Sequence, residues 1–384
     1  MKICVIAPGH DEIDHRVIRA TEQLSEVYTD VCVFLEKTRV SKVFQSSSHI
    51  KSYEPIALLD LLLLKVKSID LKLLTKLNES EWVYIHDSGL YGVLLIRFIN
   101  KCFPGKHVIF DYHDLLEWEF QHHMHKLVSR GVFSNILYKV GMKLIHLCFT
   151  LNLRIKAVVG ISDGQISKLI KHVKNNKSVK TLSVPNARVR IPSVISNVDF
   201  FKSDSLNLIW VGNVGRNRSL EKAIDYAKKI NEQVSEVDVK VFIIGKLWGS
   251  TKTFNANTVA LGKYSSDLDV MSMLPLGRNI GVFFGWRDDY QTGINQIASP
   301  NKLYSYINVG MPFLIPSNLT NVIDELGIND KFVYTDDDDF IRKVLHIYRN
   351  YPEYIDRVSV LKQTISWDSD IRVKMAKFYK DVAF

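Results

Sequence analysis

Ser299-Pro300-Asn301-Lys302-Leu303-Tyr304-Ser305-Tyr306-Ile307-Asn308-Val309-Gly310-Met311-Pro312 reads as a loop entering a helix that stops at a glycine. The proline after it and the apolar run Phe313-Leu314-Ile315 complete a helix-to-strand unit of an α/β sheet. Glycine just past the last turn and proline beyond it are helix stop signals. The other end of this helix carries Lys302. A helix N-terminus next to a strand is suited to phosphate, because its N–H groups lack intrahelical partners and its dipole favours an anion.

The chain around this stretch has 384 residues, more than one ordinary core accommodates, so two domains are expected. Working back to the N-terminus, short apolar strands are expected at 3–7, 31–35, 82–85, 108–111 and 158–161. Helices are expected at 14–26, 91–100 and 164–172. This alternation predicts a parallel sheet covered on both faces. Residues 187–206, with Pro192, several serines, Asn197 and Asp199, break the pattern and read as the region joining the domains. A second series follows, with strands at 206–211, 239–244 and 282–284 and a helix at 220–230. From about Asp368 the chain reads as an amphipathic helix. The expected fold is therefore α/β, two Rossmann-like parallel-sheet domains at 1–190 and 207–367 facing a cleft.

A net charge of +9 suits nucleic acid, an anionic membrane surface or a phosphorylated substrate. No zinc-finger or RNA-recognition pattern appears, so nucleic acid is not an expected partner. Cys4, Cys32, Cys102 and Cys148 form no C-x-x-C pair and read as reduced thiols of a cytoplasmic protein. The N-terminal stretch lacks the apolar region and cleavage site of a signal peptide. No uninterrupted apolar run approaches the roughly 20 residues of a spanning helix. Two leucine-rich stretches, 133–153 and 61–77, are basic and amphipathic. Either their apolar stripes pack on the sheet and their lysines are solvated, or they lie on the inner face of an anionic membrane.

Four constellations are placed to carry chemistry. Asp111-Tyr112-His113-Asp114 follows a strand, and a histidine at a strand end can move a proton or bond a sugar hydroxyl. Gly212-Asn213-Val214-Gly215-Arg216-Asn217-Arg218 follows another; its glycines admit a phosphate and its arginines can grip one. Lys302 adds positive charge near that loop, which suits a diphosphate leaving group. Gly9-His10-Asp11-Glu12-Ile13-Asp14-His15-Arg16 is too acidic for phosphate and suits sugar hydroxyls instead. His122, His123 and His125 lack i, i+4 helical spacing and a nearby cysteine, so no metal is expected.

In this order the segments resemble a GT-B glycosyltransferase of the retaining group 1 (family 4) class. Asp14-His15-Arg16-Val17 is similar to its D-x-R-V segment. His86-Asp87 with Phe110-Asp111-Tyr112-His113-Asp114 is similar to H-x-D … Y-D-x-H-E. Val159-Gly160-Ile161-Ser162-Asp163 and Val184-Pro185-Asn186-Ala187 resemble V-S … V-P-N-G. Pro300-Asn301-Lys302-Leu303-Tyr304 with Gly310 and Pro312 matches P-N-K-L-x-E-Y-x-x-x-G-x-P, the most specific of these.

The resemblance implies an acceptor-binding first domain, on which the C-terminal helix 368–384 packs back, and a donor-binding second domain. It implies no cofactor and no metal: the nucleotide-diphosphate sugar is itself the donor substrate. Its catalytic residues would be His113, near the transferred sugar, with Arg218 and Lys302 near the donor diphosphate. Gly212, Asn213, Arg216, Gly245, Asn301 and Ser305 would bind the rest of the donor. Ser305 stands where the family usually has a ribose-binding glutamate, and Ile297 where the partner glutamate would fall. The implied activity is transfer of a hexosyl group to a glycan or a polyprenyl-diphosphate-linked acceptor in bacterial surface polysaccharide synthesis. The alternatives are a nucleotide-sugar epimerase of the same fold or a catalytically inactive glycan- or nucleotide-binding scaffold.

Overall fold

The apolar runs form two all-parallel sheets in the computed structural model of the chain. The structure describes residues 1–8, 15–36, 50–87, 89–113, 116, 132–145, 153–171, 173, 176–186, 191, 205–212, 220–234, 237–245, 257–264, 266–284, 294–365 and 371–384. Two units are present, Met1–Pro185 with Ile371–Phe384, and Asn186–Asp370.

The first unit contains β1 (Lys2–Ala7), α1 (His15–Ser25), β2 (Asp30–Glu36), β3 (Ile50–Tyr53), α2 (Leu58–Leu62), α3 (Leu71–Glu79), β4 (Trp82–His86) and α4 (Leu90–Cys102). It continues through β5 (His107–Tyr112), α5 (Val132–Ile145), β6 (Ala157–Gly160), α6 (Asp163–Ile170) and β7 (Lys180–Ser183). The second unit contains β8 (Leu206–Val211), α7 (Leu220–Gln233), β9 (Val239–Ile244), β10 (Thr258–Gly262), α8 (Asp267–Met273) and β11 (Arg278–Val282). It ends with α9 (Ile294–Ile297), α10 (Asn301–Asn308), β12 (Phe313–Pro316), α11 (Thr320–Leu326), β13 (Val333–Tyr334), α12 (Asp337–Arg349) and α13 (Tyr351–Thr364). The last helix, α14 (Arg372–Ala383), belongs to the first unit, where Met375 and Tyr379 are buried.

The strand orders are β3-β2-β1-β4-β5-β6-β7 and β10-β9-β8-β11-β12-β13. Each sheet starts at a central strand, runs outward to one edge, then returns to the other side of that strand. This is the doubly wound order, and it leaves a crevice at the carboxyl ends where the direction reverses. The reversal lies between β1 and β4 in one unit and between β8 and β11 in the other. The central strands are buried along most of their length because helices cover both faces; every residue of β8 is buried, and β1 exposes only Lys2.

Most expected elements are present, and the differences have physical causes. The edge strands β3, β7 and β10 escape a reading based on apolar runs, because an edge is half-exposed and carries polar residues such as Lys51, Ser52, Lys180 and Thr181. β11 begins at Arg278, four residues before the expected start at 282, and ends at Val282; its first two residues are polar and hide the start from an apolar-run reading. The 61–77 stretch is not one helix. Leu64 has φ 55°, a 3₁₀ turn occupies Val66–Ser68, and Asp70 caps α3 by accepting from the N–H groups of Lys72 and Leu73. Of the expected 133–153 helix, 146–152 lie outside the described residues. The same holds for most of 187–206, although Ile191 is buried in the second unit, its N–H directed at Asn308 Oδ1. Cys4 and Cys32 are buried free thiols, and burial raises the pKa of both; Cys148 lies outside the described residues.

The decisive helix, α10, is fixed by Tyr306. Its hydroxyl accepts from Val211 N–H at 3.2 Å and donates toward the carbonyls of Val282 at 3.0 Å and Ile209 at 3.2 Å. One side chain thus pins the helix to the ends of β8 and β11. The ring lies on Gly281, where an added Cβ would come 2.6 Å from it, so only glycine fits. Tyr306→Phe leaves Val211 N–H buried without its acceptor. We expect a loss of about 1–3 kcal/mol of stability, read from denaturant unfolding, with the fold retained.

Candidate functional site

In the second unit the site is built at the β8–β11 reversal. α10 starts at Asn301 after Pro300, which makes no side-chain cap, and Asn301 is exposed at this end. Lys302, one residue on, is only 7% exposed. Its Nζ sits 3.5 Å from the Trp210 ring centroid and 4.9 Å from that of Phe283. Burying an ammonium is costly, and the negative faces of two aromatic rings offset part of that, by about 2 kcal/mol or more for a desolvated pair. Gly212 follows β8 with φ 111°, a conformation that suits glycine. A Cβ there would lie 4.0 Å from Lys302 Nζ, so the glycine keeps the backbone beside the ammonium bare.

Two further polar groups face inward. Ser305 Oγ, one turn after Lys302, is fully buried and has no hydrogen-bond partner among the described residues; the same is true of Trp210 Nε1. A buried hydroxyl without a partner normally costs stability, and a water, an ion or a functional role is the usual explanation. The loop before α10 is held by Asn186 Nδ2 donating to Ser299 O at 2.7 Å and by Ser299 Oγ with Tyr304 OH at 2.6 Å. Gly245 closes β9, its N–H donating to Gly262 O at 2.7 Å. Asn213, Arg216 and Arg218 lie outside the described residues.

In the first unit polar chemistry gathers at the ends of β4 and β5. Asp111 is buried and accepts from three side chains. Arg16 Nη2 and Nε reach Oδ1 at 2.8 and 3.0 Å, and Nε reaches Oδ2 at 3.2 Å. Tyr84 OH donates to Oδ2 at 2.8 Å, and His86 Nδ1 lies 2.7 Å from it. Burial alone would raise the Asp111 pKa; the Arg16 charge and the His86 contact outweigh it and hold the carboxyl well below its ordinary value. An ionised carboxylate only accepts, so His86 carries its proton on Nδ1. The His86 ring stacks on His113, with centroids 4.6 Å apart and planes at 19°. Gln165 Nε2 donates to the His113 carbonyl at 3.1 Å, and from α14 Tyr379 OH donates to Tyr84 OH at 3.3 Å.

His86, Asp111 and His113 offer ligand atoms within 4.8 Å of one another. They suit a metal poorly, because Arg16, Tyr84 and His86 already use the lone pairs of both Asp111 oxygens. The acidic loop at 9–14 and the histidines at 122, 123 and 125 lie outside the described residues.

The lipopolysaccharide outer core galactosyltransferase WaaB in its apo form matches with a TM-score of 0.57 at 14% identity, covering 100% of this chain and 99% of that one. WaaG, a glycosyltransferase involved in lipopolysaccharide biosynthesis, matches with a TM-score of 0.58 at 11% identity and the same coverage. The trehalose-6-phosphate synthase OtsA reaches 0.60 at 9% identity, again over 100% and 99%. The fold is that of the GT-B glycosyltransferases. At these identities the likeness concerns fold alone. No family model matches the sequence, and no curated protein does.

Sequence motifs locate Lys302, Gly212, Ser305 and His113, and the structure places the first three together on one GT-B domain and His113 on the other. They do not reveal Trp210 and Phe283 as the seat of Lys302, nor the Arg16, Tyr84 and Tyr379 contacts that converge on Asp111. Strand alternation marks Tyr84 and Trp210 only as core residues, and nothing near Tyr379 signals a polar role.

Asp111 anchors the first domain electrostatically. Asp111→Asn leaves the Arg16 charge buried without its partner, and we expect a loss of about 3–5 kcal/mol at pH 7. The folded pKa lies below the unfolded one, so this stability is complete above about pH 4 and is lost as pH falls toward the folded value. Denaturant unfolding at neutral and acid pH should show the difference between wild type and variant shrinking on acidification.

Proposed function

We propose that this chain is a glycosyltransferase moving a sugar from a nucleotide-diphosphate donor to a glycan or lipid-linked glycan acceptor, in bacterial surface polysaccharide synthesis. The observation that carries the proposal is the Lys302 ammonium, buried at the sheet reversal of the second domain beside a glycine that leaves the backbone open. Nucleotide ligands of doubly wound sheets bind in this crevice, with phosphates at helix N-termini. Lys302 would stabilise charge developing on the departing diphosphate, with Arg218 or Arg216 from the loop after Gly212 as the second cation. Asn301 and Gly245 would border the donor, and the Ser305 hydroxyl would hold a ribose hydroxyl without contributing charge. His113 would orient the sugar. A related solved structure is bound with UDP-2-fluoro glucose, which supports a nucleotide-sugar donor.

The chemistry we propose is retaining and metal-independent: a donor diphosphate oxygen takes the acceptor proton on the face that the leaving group vacates. Lys302→Met removes the charge while keeping most of the stem. We expect kcat/KM for nucleotide-sugar turnover to fall by about 10²–10³, the scale of one lost transition-state donor. Turnover should be measured across a panel of nucleotide sugars, and unchanged turnover by the variant would remove the diphosphate assignment.

We also propose that the protein works at an anionic membrane surface. Among the described residues no helix is long and apolar enough to cross a membrane. On α5, however, Ile136, Val140 and Leu144 recur every four residues and are 54%, 51% and 53% exposed. Lys139 and Lys143 are exposed beside them, and the helix has no acidic residue. An apolar stripe edged with lysines suits the headgroup region of an anionic bilayer. Cosedimentation with phosphatidylglycerol-containing vesicles, and its absence with purely zwitterionic ones, is the expected result. Val140→Glu should abolish it.

A further inference from the structure

The His113 ring meets the Asp111 network through the face of His86, on which it is stacked. His86 is fully buried, and its orientation is set by the 2.7 Å contact from Nδ1 to Asp111. Asp111 is set in turn by Arg16 on one side and Tyr84 on the other. Tyr84 receives a hydrogen bond from Tyr379, which is fully buried and comes from a helix near the end of the chain, 295 residues later in sequence. The order of donation is Tyr379 to Tyr84 to Asp111, with His86 donating to the same carboxylate oxygen. Each donor in such a chain polarises the next.

We infer that Asp111 and His86 are positioning residues for His113, and that α14 is a working part of this site, tied to it through Tyr379. The ionised carboxylate fixes the His86 tautomer and ring plane, and that plane is the surface on which His113 rests. The Tyr84 hydroxyl can donate only once, so the bond from Tyr379 keeps its proton directed at Asp111. α14 also packs on α1, which carries Arg16, and Arg372 pairs with Glu26 just beyond the end of α1 at 3.0 Å. The C-terminal segment thus supports both donors that flank Asp111. The part of this inference that concerns turnover rests on the proposed transferase activity; the coupling between the side chains does not.

The test uses the full chain with ¹⁵N-labelled histidine and four variants. His86→Ala removes both the stacking surface and the Asp111 bond. His86→Phe restores a flat surface without the bond. Tyr379→Phe deletes one hydroxyl and keeps the ring packed edge-on to Tyr84. His113→Ala assigns the His113 signals. The hydrogen-bonded Nδ1–H of His86 should appear as a low-field proton that is lost in both His86 variants and shifted in Tyr379→Phe. The His113 ring signals should move in His86→Ala and return toward wild type in His86→Phe. In turnover, His86→Ala should lower kcat by about ten- to a hundredfold with little change in KM, the scale expected when a positioned group is released. His86→Phe should recover most of this, and Tyr379→Phe should lose about two- to tenfold, the scale of one hydrogen bond. An unshifted His86 proton in Tyr379→Phe overturns the role of α14. Unchanged His113 signals in His86→Ala overturn the positioning role. If the signals move as expected while the wild type transfers no sugar, the coupling stands and the transferase assignment fails.

Discussion

Each sheet of this protein reverses its strand order once, and most of the polar chemistry described lies at or beside that reversal. Strands on either side of it connect to helices that run away in opposite directions, so the carboxyl ends there are left uncovered. Elsewhere in a parallel sheet both faces are packed and a polar side chain would lack a partner. Lys302 with Gly212 lies at one reversal, and His86, with Asp111 on the next strand, lies at the other. The two domains share a strand order and fill its opening with different chemistry.

That difference is electrostatic. The first domain buries a carboxylate and balances it with a guanidinium, a phenol and an imidazole, which leaves the anion saturated and rigid. The second domain buries an ammonium against two aromatic rings. Ring faces stabilise a cation through their quadrupole and add no opposite charge, so the Lys302 ammonium is seated without being neutralised by them. The uncharged Ser305 one turn further on, in place of an acid, leaves that positive field undiminished.

Much of this arrangement is legible along the chain. The central strands are runs of apolar residues, and the Pro300–Pro312 helix unit carries its own start and stop signals. The edge strands are harder to see, since β13 is two residues long and β7 has no buried residue, so neither leaves an apolar run. The 61–77 stretch misleads because leucine spacing reports burial and not continuity; Asp70 starts a new helix within it. Tyr306 stands inside the most specific motif, yet its role depends on Gly281 lying opposite it, 25 residues earlier.

Reading along the chain is enough for the fold class and the two Rossmann-like domains, and it singles out Lys302, Gly212, Ser305 and His113 as candidates. It does so because periodicity, turn residues and helix ends are local properties of a chain. Which partner each of these residues meets is a matter of the packed fold. Trp210 and Lys302 are 92 positions apart, Arg16 and Asp111 are 95, and Tyr84 and Tyr379 are 295. A buried charge or hydroxyl takes its energy from whatever group the fold brings within a few ångströms, and no local pattern encodes that distance.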